Sequence, residues 1–286
     1  MTDFDIGAAA IPDHRPLPKP PTMKQHLRLA WRDISYGLID WRVWLLLGMN
    51  DIRQRYRRSR LGQFWITLAM ATTIVSLGFL YAFLFKQPLE QYLPYLGTSF
   101  VVWGLISGIV LDSCLVFIGS EGFLRQVPMP KSVFVHRMLV RNVVTFGHNL
   151  IILPPLYFIF GVMPSWTWLV ALVGFAVFLL NGIWVALLLG TISARFRDMP
   201  QTVASIMQIA YFLTPIMWQR ALLPPKYRHL AELNPFQAFM SIVRDPLLGQ
   251  MPPVISWEVV GVVTLAGFAV TTIFFSRFRA RIVYWL

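Results

Sequence analysis

Six stretches of this chain, roughly 62–85, 94–119, 139–162, 166–194, 200–218 and 257–276, are almost uninterrupted apolar runs. Each is close to the ~20 residues a helix needs to cross the hydrocarbon core of a bilayer. Backbone in lipid must satisfy its own hydrogen bonds, so runs of this kind fold as helices. The pattern predicts an all-α integral membrane protein with six transmembrane helices. Composition agrees: only 13% of the 286 residues are charged, about half the share usual in soluble domains.

The net charge of +12 raises the question of nucleic acid, and the placement of the charges answers it. With six spans both termini share a side. Twenty Lys and Arg then fall in the segments on that side and five (Lys86, Arg220, Lys226, Arg228, Arg244) on the other. That asymmetry is the positive-inside bias of cytoplasmic loops. It predicts cytoplasmic termini, and no nucleic-acid partner. The single cysteine, Cys114, sits in an apolar run and reads as a small buried hydrophobe. Residues 1–30 read as a flexible cytoplasmic tail, proline-rich at the start and without the features of a secretory signal, and residues 31–286 as the membrane domain.

Three segments outside the spans look structured. "DWRVWLLLGMNDIRQRYRRSR" offers Asp40 as a cap for a helix starting at Trp41. Trp41, Trp44, Leu45 and Tyr56 give that helix an apolar side, and Arg55 and Arg57 belong to the basic run that follows. Such a helix suits the membrane interface and its anionic lipids, although the arginines could also serve topology alone. "SEGFLRQVPMPKSVF" contains a short helix-compatible piece, Glu121, Gly122, Phe123, Leu124, Arg125 onward, stopped by Pro128 and Pro130. It has the form of a docking element. The third segment, residues 221–250, is too polar to span. Pro225 to Leu233 fits one short helix, and Asn234 caps a second in which Pro235 takes the first position. In that second helix Phe236, Phe239, Met240, Val243 and Leu247 form an apolar face, and Gln237, Ser241, Arg244 and Asp245 lie opposite.

Chemistry of a catalytic kind is missing from the pattern. None of the five lysines follows a glycine, so no G-x-x-x-x-G-K-[ST] phosphate loop is present, and the histidines have no metal-binding spacing. Within the spans Asp112 reads as a structural pair with a neighbouring helix or a subunit in preference to a proton relay. Arg141 sits where a long side chain can snorkel to the interface. Tyr81, Trp103, Tyr211 and Phe212 are candidates for lining a channel, since aromatic faces stack on sugar rings; packing and interfacial belts use the same residues. Gly104 and Gly108 form a G-x-x-x-G pair that permits close helix contact.

Four stretches in this order, "RYRRSRLGQFW", "SEGFLRQVPMPKSVF", "ARFRDMPQ" and "LNPFQAFMSIVRDPLLGQ", resemble the membrane subunits of ABC-2 type transporters that export O antigens, capsules and teichoic acids. The resemblance covers roughly residues 35–280. It departs at Met129, where the family often has an aromatic. It implies a permease without enzymatic activity or a cofactor of its own, with ATP and Mg held by separate ATPase chains. Two copies of the subunit would line a channel in the bacterial inner membrane above two such ATPases and pass a lipid-linked polysaccharide, O antigen ahead of capsule. Glu121 to Pro128 would then be the element seated in the ATPase, and Trp41 to Tyr56 an amphipathic helix in contact with membrane lipid. The two short helices between spans five and six would re-enter the outer leaflet as a periplasmic gate, with Arg244 and Asp245 facing the exit. Alternatives are an ABC-2 subunit exporting a small drug or lipid, and a gradient-driven secondary transporter.

Overall fold

A computed structural model describes residues 22–57, 62, 64–224, 226 and 231–286. Among them all regular secondary structure is helical: α1 (Met23–Ile39), α2 (Trp41–Tyr56), α3 (Phe64–Leu84), α4 (Leu89–Leu115), α5 (Glu121–Gln126), α6 (Lys131–Leu150), α7 (Leu153–Phe160), α8 (Thr167–Arg195), α9 (Met199–Leu213), α10 (Pro235–Leu247), α11 (Val254–Phe278) and α12 (Ile282–Trp285). Five helical runs among the described residues are long and apolar enough to cross a membrane: Phe64–Leu84, Leu89–Leu115, Lys131–Phe160, Thr167–Arg195 and Val254–Trp285. These correspond to five of the six expected spans. The remaining one, expected over 200–218, contains a helix of only 15 residues. At 1.5 Å per residue that helix reaches about 22 Å, short of the ~30 Å core. It stops because Pro215 pushes the preceding residue out of helical geometry, and Thr214 is extended, with φ −93° and ψ 137°.

The centre of the bundle is α4, which packs on α3, α6, α8, α9 and α10. Its Val101, Val102, Ile106 and Ile109 are buried, as is Cys114. The peripheral helices turn large apolar side chains outward, among them Phe79 and Phe83 of α3 and Leu169 and Leu172 of α8, as helices bathed in lipid do. The G-x-x-x-G pair of α4 serves two neighbours: a methyl group at Gly108 would meet Asn142 of α6, and one at Gly104 would meet Met70 of α3.

Two local expectations need correction, and a third falls mainly outside the described residues. The tail expected over residues 1–30 is helical from Met23; its residues 1–21 lie outside the described ones. Gln25 anchors the start of α1 by accepting the Thr22 N–H at 2.8 Å. Asp40 makes no side-chain cap: its N–H closes α1 on the Tyr36 carbonyl, so it joins two helices instead of opening one. The short helix expected over 225–233 falls mainly outside the described residues.

Polar bolts join the two ends of the chain. Asp33 of α1 accepts the Ser132 N–H at 3.0 Å and Arg279 Nη1 at 2.7 Å. Beside them Arg197 donates to the Leu286 carbonyl at 3.0 Å. The N-terminal helices, the start of α6 and the end of α11 thus gather at one end of the bundle, called here the termini end.

A close backbone approach joins α8 to α10. A Cβ on Gly174 would lie 2.2 Å from the carbonyl oxygen of Ile242, whereas one on Gly261 would meet nothing within 4 Å. Backbone cannot yield as a flexible side chain does, so Gly174→Ala is expected to lower stability by about 1–3 kcal/mol. Gly261→Ala should be neutral or slightly stabilising. Thermal unfolding of the two variants in the same detergent checks the contrast.

Candidate functional site

At the termini end α2 lies along α6, and the contact is built from a ring pair, a small residue and a charge cluster. Trp44 stacks on His136 with ring centroids 5.4 Å apart. One turn on, Gly48 lets the α2 backbone approach Val140. A further turn brings Asp51 between two arginines of α6: Arg137 grips it through Nε at 2.7 Å and Nη2 at 2.5 Å, and Arg141 donates at 3.1 Å. Arg141 also reaches Asp112 of α4 at 3.4 Å, and Asn142 donates to the same oxygen at 3.0 Å. Asp112 is therefore paired with a neighbouring helix, in line with the structural reading of its sequence position. Arg141 turns inward to two carboxylates, where a snorkelling side chain was expected. Trp41 is exposed and carries the Arg42 guanidinium 5.6 Å over its ring. Arg55, Tyr56 and Arg57 complete the helix end, and residues 58–61 are not among those described.

Next to this cluster α5 forms as expected, one and a half turns ending before Val127, which is extended. Leu124 is its buried anchor, and Phe123, Val127, Gly122 and Arg125 are exposed. Arg125 pairs with Glu121 at 2.9 Å along the exposed face. The Phe123 ring lies 5.4 Å beneath the Arg137 guanidinium. A single arginine therefore touches both α5 and α2, by a cation–π contact on one side and a two-pronged carboxylate pair on the other. Pro128 is exposed, and Pro130 immediately precedes α6.

Toward the opposite end α10 is capped as its sequence predicts. The Asn234 side chain accepts the Phe236 N–H at 3.0 Å, with Pro235 in the first turn. Its polar face does not look outward. Gln237, Ser241, Arg244 and Asp245 are all buried, Arg244 to 2% exposure. Arg244 Nε pairs with Asp245 at 2.9 Å, while Nη1 donates to the Pro215 carbonyl at 2.9 Å and to the Tyr95 hydroxyl at 3.1 Å. Ser241 donates to the other oxygen of Asp245. The reason lies just beyond α9, where the non-helical 214–218 stretch presents carbonyls that no helix satisfies. Tyr95 reaches those of Pro215 and Trp218 at 2.7 and 3.1 Å, and Tyr92 donates to Met217 at 2.5 Å. Buried polar backbone away from water needs such partners. Arg244 and Asp245 also edge a cavity of about 660 Å³ with Glu90, Arg220, Glu232 and Gln250.

The four aromatic candidates fall into two neighbouring groups. Trp103 lies 5.8 Å from both Tyr211 and Phe236, and Tyr211 lies 5.3 Å from Phe212. Phe212 is exposed, on a face of α9 that borders a cavity of about 730 Å³ with Trp218, Asn234 and Phe236. Tyr81 instead stacks on Phe85 at 5.5 Å, in a group with Tyr92. Phe239 points into the bundle, edge-on to Phe178 at 5.9 Å.

With this geometry in view, residues 42–248 match the ABC-2 type transporter family. The chain belongs to that family. Among the relatives of this ABC-2 protein are two O-antigen export system permease proteins RfbA from Klebsiella pneumoniae. One is 21% identical over 234 residues and the other 21% identical over 238, each alignment covering 80% of this chain and 88% of the relative. The RfbA permease of Myxococcus xanthus is 22% identical over 237 residues, covering 81% of this chain and 90% of its own.

Reading the ABC-2 sequence alone missed Asp51 and Tyr95. Asp51 was recoverable: Arg137 and Arg141 stand four apart on one face of a largely apolar helix, and buried arginines require an acceptor. Tyr95 had no such signal, because its partners are backbone carbonyls distant in sequence. Replacing Asp51 by Asn leaves Arg137 largely buried without its counter-charge and is expected to cost roughly 2 kcal/mol. Limited proteolysis of the purified chain should then cut around α2 at protease levels that leave the wild type intact.

Proposed function

We propose that this ABC-2 subunit forms the channel of an ATP-driven exporter of a lipid-linked cell-surface polysaccharide, O antigen ahead of capsule, across the bacterial inner membrane. In this reading two copies face each other above two ABC ATPases, which bind the ATP and Mg; the chain itself supplies no catalytic group. The excess of Lys and Arg at the termini end supports a cytoplasmic position for that end, with α2 and α5.

The observation that carries the mechanism is the position of Arg137. α5 is an exposed element at the cytoplasmic end, and force applied to it passes through Phe123 to Arg137 and from there to Asp51 on α2. Glu121, Gly122 and Arg125 offer the contact surface to the ATPase, and Leu124 fixes α5 to the bundle. α2, with Trp41 exposed and Arg55, Tyr56 and Arg57 at its end, lies in the inner interface.

At the far end α9 breaks near the depth of Trp103, and α10 starts beside that break, with Asn234 Nδ2 3.2 Å from Thr214 Oγ1. α10 then rises until its Pro246 carbonyl accepts from Thr167, at the start of α8. These contacts support a sixth, interrupted span and a re-entrant segment that closes the outer mouth. Asn234 and Pro235 set its inner end, Phe239 holds it to α8, and Arg244 supports the broken backbone beside it. Trp103, Tyr211 and Phe212, with Tyr81 farther along, are the aromatic surface offered to passing sugar rings. The pairing of Asp112 with Arg141 and Asn142 weighs against gradient-driven transport, since it gives the carboxylate a structural task.

Deleting this chain from its host should abolish the surface polysaccharide and leave lipid-linked polymer on the inner side of the membrane. The wild-type gene should restore the surface polymer. Arg125→Glu, which reverses charge on the exposed face of α5 without touching the core, should insert normally yet restore only a small fraction of it. Unchanged surface glycan in the deletion strain would contradict the assignment.

A further inference from the structure

Between α2, α4 and α6 the charge cluster encloses a cavity of about 290 Å³ whose polar wall is formed by Arg55, Arg137, Arg141, Tyr56, Ser120 and Thr145 together with Asp51 and Asp112. Three cations face two carboxylates, so the wall is net positive. Both carboxylates are already paired: Asp51 through both oxygens with Arg137 and Arg141, and Asp112 through Oδ2 with Arg141 and Asn142. The donors left over are the informative part. Arg137 Nη1 is buried with no hydrogen-bond partner among the described residues. Arg55 brings a second guanidinium to the same wall, and Tyr56, Ser120 and Thr145 bring hydroxyls. A buried guanidinium nitrogen left unpaired is costly, and a net-positive wall with a guanidinium donor to spare favours an anion with several oxygens.

We propose that this cavity binds a phosphate ester carried by a membrane amphiphile. Guanidinium groups match phosphate oxygens with paired, charge-assisted hydrogen bonds. Arg55 and Arg137 Nη1 approach from two helices, and the three hydroxyls complete the donor set. The rest of the wall is apolar, with Ile52, Leu115, Val116 and Met138. Leu115 is half exposed at the rim, which suits the hydrocarbon stem of an amphiphile and offers nothing to a free anion. The ligand neutralises the surplus charge beside Asp51 and braces α2 against α6. This assignment concerns the phosphate ester alone and is independent of which cargo the transporter exports.

The test is equilibrium binding to the purified full-length chain, with its co-purifying subunits, in a neutral maltoside detergent. Dihexanoyl phosphatidylglycerol probes a phospholipid headgroup, farnesyl diphosphate a polyprenyl phosphate, inorganic phosphate the free anion and dihexanoylglycerol the apolar part alone. At least one phosphate amphiphile should bind saturably, and the tighter of the two identifies the source. Inorganic phosphate should bind more weakly than that amphiphile, and dihexanoylglycerol should not compete. Arg55→Gln, which leaves the Asp51 pairs in place, should weaken binding about tenfold or more. Arg53→Gln, on the same helix but outside the cavity wall, should leave it unchanged. Equal losses in the two variants would show general surface attraction and overturn the site, as would the absence of saturable binding by either phosphate amphiphile, or inorganic phosphate binding as tightly as the amphiphiles.

Discussion

Arg137 is the residue through which the termini end of this molecule is tied together. Its guanidinium is mostly buried, which is tolerable only because Asp51 meets it with two short hydrogen bonds and Phe123 offers the face of its ring. Satisfying that one charge fixes three elements at once: α2 is held along α6, α5 is held under α6, and a positive cavity is left between them. Arg141 extends the same cluster to α4, the central helix, through Asp112. An element at the edge of the bundle is thereby linked to its core by polar contacts in a setting that is otherwise apolar.

Arg244 plays the corresponding part at the other end. There the demand comes from backbone: Pro215 ends α9 early, and the following carbonyls need donors where water is scarce. Arg244, Tyr95 and Tyr92 supply them, and Asp245 supplies the counter-charge. The two ends follow the same rule. Each irregular or exposed element that the transport reading needs is fastened by a buried arginine, and each arginine is held by a neighbouring carboxylate.

Most of the architecture was legible because membrane insertion writes it in long apolar runs. Five spans, the helix α2, the proline-bounded α5 and the Asn234–Pro235 start of α10 can all be read directly. Three features could not be read that way. The break in α9 is hidden because "YFLTPIMW" stays apolar through it, and only Pro215 betrays it. α1 carries an apolar stripe, Leu27, Ala30, Trp31, Ile34 and Leu38, at helical spacing, but it directly follows a proline-rich stretch and so passes for tail. The polar face of α10 was expected to turn Arg244 and Asp245 to the exit, and both are buried. With lipid outside, polar side chains gain more by turning toward the protein interior, where carbonyls and counter-charges await them. Of the candidate site, the exposed residues of α5 were foreseen, but the clamp that connects them to α2 was not, since Asp51 and Arg137 are 86 residues apart.

In the proposed exporter α5 is where an ABC ATPase acts on this ABC-2 subunit. Gly122 has open space around its Cα and is exposed, so Gly122→Cys in a Cys114→Ala background places a single thiol on α5. Cross-linking from that thiol in native membranes, with and without trapped nucleotide, is the most direct measurement. The account predicts a product with an ABC ATPase whose yield changes with nucleotide. A thiol that links to no ATPase, in a chain that still exports polymer, would contradict it.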